Sequence, residues 1–276
     1  MQSSDELPEV ANLLFLEVQA LGIPAWSCGH NVLAADKKSA TAWMSSEGTL
    51  QTPFTLRLWG EASFEEMGEF VLSNDVFMEQ ELGGKALIEH YNHMKSFPDL
   101  KPTFDQIEAM GLSLPTFQIN HLCKFSHGFL LFITYEPVPD AHDIFLRFTK
   151  VFDQTYTRFL DLQKAEAQAR EAKIEVALEK VRSRTMGMQK SDELADVANV
   201  LFQEMNDLVH NLWTCGFVLC EKDRTEDEWW LSLEDGFTRG FFLPNVNDYA
   251  HAHLYEGWLK KDDFRSVQLE GDDLQA

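Results

Sequence analysis

The sequence predicts an α+β fold: a central antiparallel sheet flanked by helices, a long connecting helix, and then a truncated second copy of the same domain. Three observations carry that prediction. The first 89 residues recur at an offset of 187; residues 116–125 and 128–136 read as a strongly apolar strand pair; and residues 141–186 contain neither Gly nor Pro. The boundaries that follow are 1–140 for the first domain, 141–187 for the helix and 188–276 for the opening half of the second domain.

The repeat is read first, because it fixes the architecture. Met1-Gln2-Ser3-Ser4-Asp5-Glu6-Leu7 recurs as Met188-Gln189-Lys190-Ser191-Asp192-Glu193-Leu194, and Trp26-Ser27-Cys28-Gly29 as Trp213-Thr214-Cys215-Gly216. The alignment needs no gap, and 29 of 89 positions are identical, 16 of them within the first 29. Ordinary residue usage would give about one identity in sixteen to twenty. Ala276 falls opposite Glu89, so the second copy lacks counterparts of the strand pair, and the chain is expected to be a piece of a longer modular protein. That copy's sheet should then show an unpaired edge.

Each element has a local cause. Residues 4–21 place Leu7, Val10, Ala11, Leu14, Phe15, Val18 and Leu21 on one helical stripe, with Ser4 and Asp5 as starters and Gly22 and Pro24 as stops. Strands are predicted over 26–34, 40–46 and 53–58, separated by polar turns. A helix over 64–72, an extended run over 77–82, a helix over 86–95 and a short one over 104–110 follow. Residues 116–125 and 128–136, rich in Phe, Ile, Leu and Thr, form a hairpin around Ser126-His127-Gly128. The Gly- and Pro-free run then predicts one long helix. Its first part carries Phe145, Phe148, Phe152, Phe159 and Leu162 toward the sheet, and Ile174, Ala177, Leu178 and Val181 resume a three-and-four stripe suited to a parallel two-chain coiled coil.

Composition narrows the partners. With 45 acidic against 23 basic side chains, a formal charge of −22 repels phosphate backbones and anionic membrane surfaces, so neither nucleic acid nor membrane is an expected partner. No apolar stretch approaches the roughly 20 residues of a spanning helix, and no secretory leader is evident. Cys28, Cys123, Cys215 and Cys220 form no CxxC pair, which fits reduced thiols in a cytoplasmic protein.

The element order resembles that of GAF-type sensory domains. The junction from Ala165 to Met188, reading AEAQAREAKIEVALEKVRSRTMGM, resembles those of bacterial multidomain sensors in which tandem GAF-like modules lead to a histidine kinase or a nucleotide cyclase. The resemblance implies a non-catalytic input module that binds a small ligand or partner and relays through a helical homodimer, any output domain lying outside this chain. The Asn-Lys…Phe…Asp-Glu pattern by which some relatives bind cyclic nucleotides is not present, nor is a Cys in the setting used to attach a bilin. No cofactor is therefore assigned.

Candidate chemistry is sparse. Trp26, Trp43 and Phe54, repeated as Trp213, Trp230 and Phe241, read either as the lining of a pocket for a planar ligand or as shared core. Cys28 and Cys215 read either as redox-sensitive thiols or as small buried hydrophobes. His121 and Cys123 share a strand face and, with a third ligand, would make a metal- or thiol-dependent site; His90, His93 and His127 are further candidates, but no metal is assigned. The candidate ligand pocket thus comprises Trp26, Cys28, Trp43, Phe54, His121 and Cys123. No Gly-rich phosphate loop, GxSxG elbow or HExxH motif occurs. The competing expectation is a dimerising interaction scaffold with a closed core and no ligand.

Overall fold

The structure, a computed structural model, describes residues 7–109, 113–190, 193–210, 212–222, 225–233, 236–237, 240–244 and 249–269. The helix starters expected at Ser4 and Asp5 lie outside them. Two compact units meet within the long helix, between Lys164 and Ala165. The division falls inside the segment 141–187 that the sequence reading sets apart as the long helix. The reason is packing: Phe145, Phe152, Tyr156 and Phe159 are buried in the first unit's core, so the aromatic half of the helix belongs to that unit.

Unit 1 runs α1 (Leu7–Ala20), β1 (Ala25–Leu33), β2 (Ser39–Ser46), β3 (Thr49–Leu50), β4 (Phe54–Arg57), α2 (Ala62–Leu72), β5 (Phe77–Gly83), α3 (Gly84–Lys95), α4 (Lys101–Ala109), β6 (Phe117–Phe125), β7 (Gly128–Thr134) and the start of α5 (His142–Gly187). Its seven strands are antiparallel, in the order β3-β2-β1-β7-β6-β5, with β4 also pairing β2. The chain leaves α1 through Gly22 at φ +78°, a conformation that glycine adopts without a side-chain clash. Every residue of β7 is buried, which explains its unbroken apolar run: it is covered on both faces. Leu131 and Ile133 face a core built with Phe64, Met67 and Leu87 of α2 and α3. Leu130 and Phe132 face the opposite core, built with Leu14 and Val18 of α1 and Phe145 and Phe152 of α5. The rings of Phe132 and Phe145 stack at 4.2 Å, fixing α5 to the sheet.

Unit 2 comprises the remainder of α5, α6 (Leu194–Val209), β8 (Thr214–Leu219), β9 (Glu226–Leu233), β10 (Gly236–Phe237), β11 (Phe241–Pro244) and α7 (Tyr249–Lys260). The limits of β9, β10 and β11 stand 187 residues after those of β2, β3 and β4. The strand register corresponds as well: Cys28 lies opposite Ser45, and Cys215 opposite Ser232. The Ser45 hydroxyl donates to Asn12 Oδ1 at 3.0 Å, and that of Ser232 to Asn199 Oδ1 at 3.3 Å. One edge of β8 has no partner strand among the described residues, and its residues are half-buried, Leu219 exposed, where those of β1 are mostly buried. Trp213 and Phe264 are 83% and 87% exposed. The segment around Phe264 forms no strand, whereas the matching β5 of unit 1 is held by β6. Of the predicted coiled-coil stripe, Ala177 is buried, Ile174 and Val181 are half-buried, and Leu178 is exposed with Val176. Part of that stripe is taken up inside unit 2, where Lys180 bridges to Glu204 of α6.

Candidate functional site

A cavity of about 90 Å³ lies between the sheet of unit 1 and α2, α3 and α4. Trp26 and Phe54 line it. Cys28, Trp43, His121 and Cys123 do not, which corrects the expectation that all six residues share one pocket. Cys28 and Cys123 are fully buried in the core on the α1 and α5 face, Trp43 packs against that core, and His121 packs on Phe145 there. Between Trp26 and Cys28 the cause is a β-bulge. The pairing of β1 with β7 shifts between Ala25 and Ser27, so Trp26 and Ser27 both turn toward the cavity and the alternation restarts at Cys28. Strict period-two reading carries Trp26 and Cys28 to the same side.

The polar part of the cavity wall was not visible as a motif. Tyr91 donates to Gln118 Oε1 at 2.6 Å, Gln118 to Asn120 Oδ1 at 2.9 Å, and Asn120 to Gln80 Oε1 at 3.0 Å. Tyr91, Gln118 and Asn120 line the cavity, and the chain satisfies each amide in turn. Asn31 differs. It is fully buried, it lines the same cavity, and neither Oδ1 nor Nδ2 has a hydrogen-bond partner. Leaving such a group unsatisfied costs about 1–3 kcal/mol. The available signal was a set of polar residues, Asn31, Gln118 and Asn120, inside predicted strands of largely apolar character.

Behind Asn31, on the other face of β1, the His30 ring stacks on Trp43 at 5.1 Å and contacts Phe152 of α5 at 4.9 Å. Both its nitrogens are buried without a partner, and burial pushes its pKa down to about 3 from 6.5. Unfolded His30 takes up a proton near pH 6.5 and the folded side chain does not, so its contribution to stability is full above that pH and is lost as pH falls toward 3. The position 187 residues later holds Phe217, opposite Trp230 as His30 is opposite Trp43. His30→Phe is therefore expected to raise stability by about 1–3 kcal/mol and to flatten its fall between pH 6.5 and 4.5. Urea midpoints of the two proteins across that range check it.

Of the other candidates, His90 and His93 do not converge. His90 Nδ1 meets the Ser63 hydroxyl at 2.7 Å, and that hydroxyl donates to Glu61. Burial raises the Glu61 carboxyl, but hydrogen bonds from His90 and Ser63 outweigh it and hold the pKa at about 2. In an acyl-transfer triad the imidazole stands between carboxylate and hydroxyl. Here the hydroxyl stands between them, and the arrangement ties the start of α2 to α3. Burial raises the thiol pKa of Cys28 and lifts that of Cys123 to about 12, a setting in which neither is a ready nucleophile.

His121 does share a face with Cys123, but the groups it meets are Glu79 and His142. Strand register sets Glu79 directly opposite His121, and His142 opens α5 above them. His142 Nε2 lies 2.8 Å, and His121 Nδ1 3.7 Å, from Glu79 Oε2. Burial, with the neighbouring His142, lowers the pKa of His121 to about 4. No sequence spacing announces this group, because pairing of β5 with β6 joins residues some forty apart.

No family model matches the chain, and no curated protein matches it in sequence. Among the described residues, no helix is long and apolar enough to cross a membrane.

Proposed function

We propose that this chain is a non-catalytic sensory input module, a GAF-like domain followed by the opening half of a second, which binds a small ligand in the unit 1 cavity and relays its presence through α5. Asn31 carries the reading: a buried amide with both polar atoms unpartnered, facing a mostly apolar cavity whose polar chain of Tyr91, Gln118 and Asn120 is already hydrogen-bonded, is a recognition group awaiting a complement. A ligand that fits is mostly apolar, a few non-hydrogen atoms in size, and bears a carboxamide, carboxyl or hydroxyl that donates to Oδ1 or accepts from Nδ2. The scaffold alternative requires a closed core beside Trp26 and Phe54, and a cavity there favours the ligand.

The relay would run through β1. Asn31 faces the cavity and its neighbour His30 touches Phe152 of α5, so a ligand that prefers one position of this strand biases the packing of the helix. Val151, Leu162 and Val176 are exposed apolar residues on one face of α5 that a second copy would cover in a homodimer. The matched strand registers and the matched Asn12 and Asn199 hydrogen bonds support a duplicated domain. Four free cysteines fit a cytoplasmic setting.

The test is extraction. Protein purified from cells is heat-denatured, and the supernatant is analysed by mass spectrometry. One small molecule per chain is expected, and adding it back should raise the melting temperature by mass action. An empty supernatant, together with no stabilisation by any member of a library of small amides, acids and alcohols, would remove the ligand from the account.

A further inference from the structure

We infer that Glu79, His121 and His142 form a binding site for a divalent transition-metal ion of the zinc class. One ligand atom from each residue lies within 4.8 Å of the other two. The edge of a tetrahedral zinc site, built from bonds of about 2.0–2.2 Å, is roughly 3.3 Å. The separations of 2.8 and 3.7 Å to Glu79 Oε2 bracket that value, so modest side-chain movement completes the geometry.

Hydrogen bonding decides the chemistry of His121. The single proton of the Thr134 hydroxyl is donated to the Glu136 carbonyl at 2.8 Å. At 2.9 Å from His121 Nε2, the same oxygen must therefore accept, which places the imidazole proton on Nε2. Nδ1 is left with a bare lone pair facing the carboxylate, fully buried and without a hydrogen-bond partner. A carboxylate cannot donate to it, and a metal ion can bind both. Outer-shell donation from the other ring nitrogen is the usual support of a metal-bound histidine, and the Thr134 hydroxyl receives it here. His142 Nε2, although 2.8 Å from Glu79 Oε2, lacks the alignment of a hydrogen bond and is also without a partner.

Two imidazoles and one carboxylate suit zinc, cobalt, nickel or copper better than calcium or magnesium, which favour all-oxygen sets. Side-chain exposures of 30% for Glu79 and 29% for His142 give the ion an entry path and leave room for water as a further ligand. The N-terminus of α5 opposes positive charge, an effect small beside coordinate bonds and offset by the Glu79 carboxylate. Because His142 is the first residue of α5, an ion here would clamp the start of that helix to β5 and β6.

The experiment uses the full chain without an affinity tag, stripped with EDTA and dialysed. Cobalt titration should give the intense visible bands of a low-coordinate nitrogen–oxygen site at one equivalent. Zinc should displace them, as followed by calorimetry. His142→Gln and Glu79→Gln, both at partly exposed positions, should each weaken zinc binding roughly tenfold or more while circular dichroism stays native. Zinc should raise the melting temperature of the wild type more than that of His142→Gln at the same concentration. Absence of stoichiometric binding overturns the site, as does wild-type affinity in both variants.

Discussion

Replacing Asn31 by leucine is expected to stabilise unit 1 by about 1–3 kcal/mol, because it removes a buried amide whose two polar atoms have no partner. The cavity of about 90 Å³ alongside accepts the extra bulk of leucine, so added dispersion contacts act in the same direction. A polar group retained at the expense of stability beside a cavity fits a site where binding function opposes stability. Urea unfolding of the two proteins, followed by a probe of unit 1, makes the comparison. A loss of stability in Asn31→Leu would mean that the amide holds the fold together internally and is not waiting for a ligand.

The second large effect lies at Gly29 and its counterpart Gly216. A Cβ built on Gly29 would stand 2.1 Å from the Trp43 carbonyl oxygen, and one on Gly216 would stand 1.9 Å from that of Trp230. Both obstacles are backbone of the paired strand, which cannot swing aside as a long side chain can. Gly29→Ala is expected to cost about 3 kcal/mol or more by forcing β1 and β2 apart. Gly216→Ala should do the same to β8 and β9. Because the chain forms two compact units, each substitution should lower one unfolding transition and leave the other near its original midpoint. Calorimetry resolves this, and a common loss of both transitions from either single change would contradict the separate cores.

Much of the fold was legible because its signals are local. Gly22 and Pro24 stop α1, the run around Ser126 to Gly128 makes a hairpin, and the absence of Gly and Pro after residue 141 gives one helix from His142 to Gly187. The unit boundary was not legible in the same way. Phe145 to Phe159 belong to the sheet while remaining in the same continuous helix as Ala177, and helical periodicity does not say where a helix changes partners. The site was less legible still. Alternation in β1 fails at the bulge by Ser27, which separates Trp26 from Cys28, and Asn31 has no motif around it. Glu79, His121 and His142 meet only through strand register and the placement of the first turn of α5.

The proposed relay depends on a ligand occupying the cavity beside Asn31. Native mass spectrometry of wild type and Asn31→Leu, purified side by side from the same cells, tests it most directly. The prediction is a one-to-one small-molecule adduct on the wild type that is missing from the variant. Indistinguishable spectra, with both proteins bare or both carrying the same adduct, would contradict it.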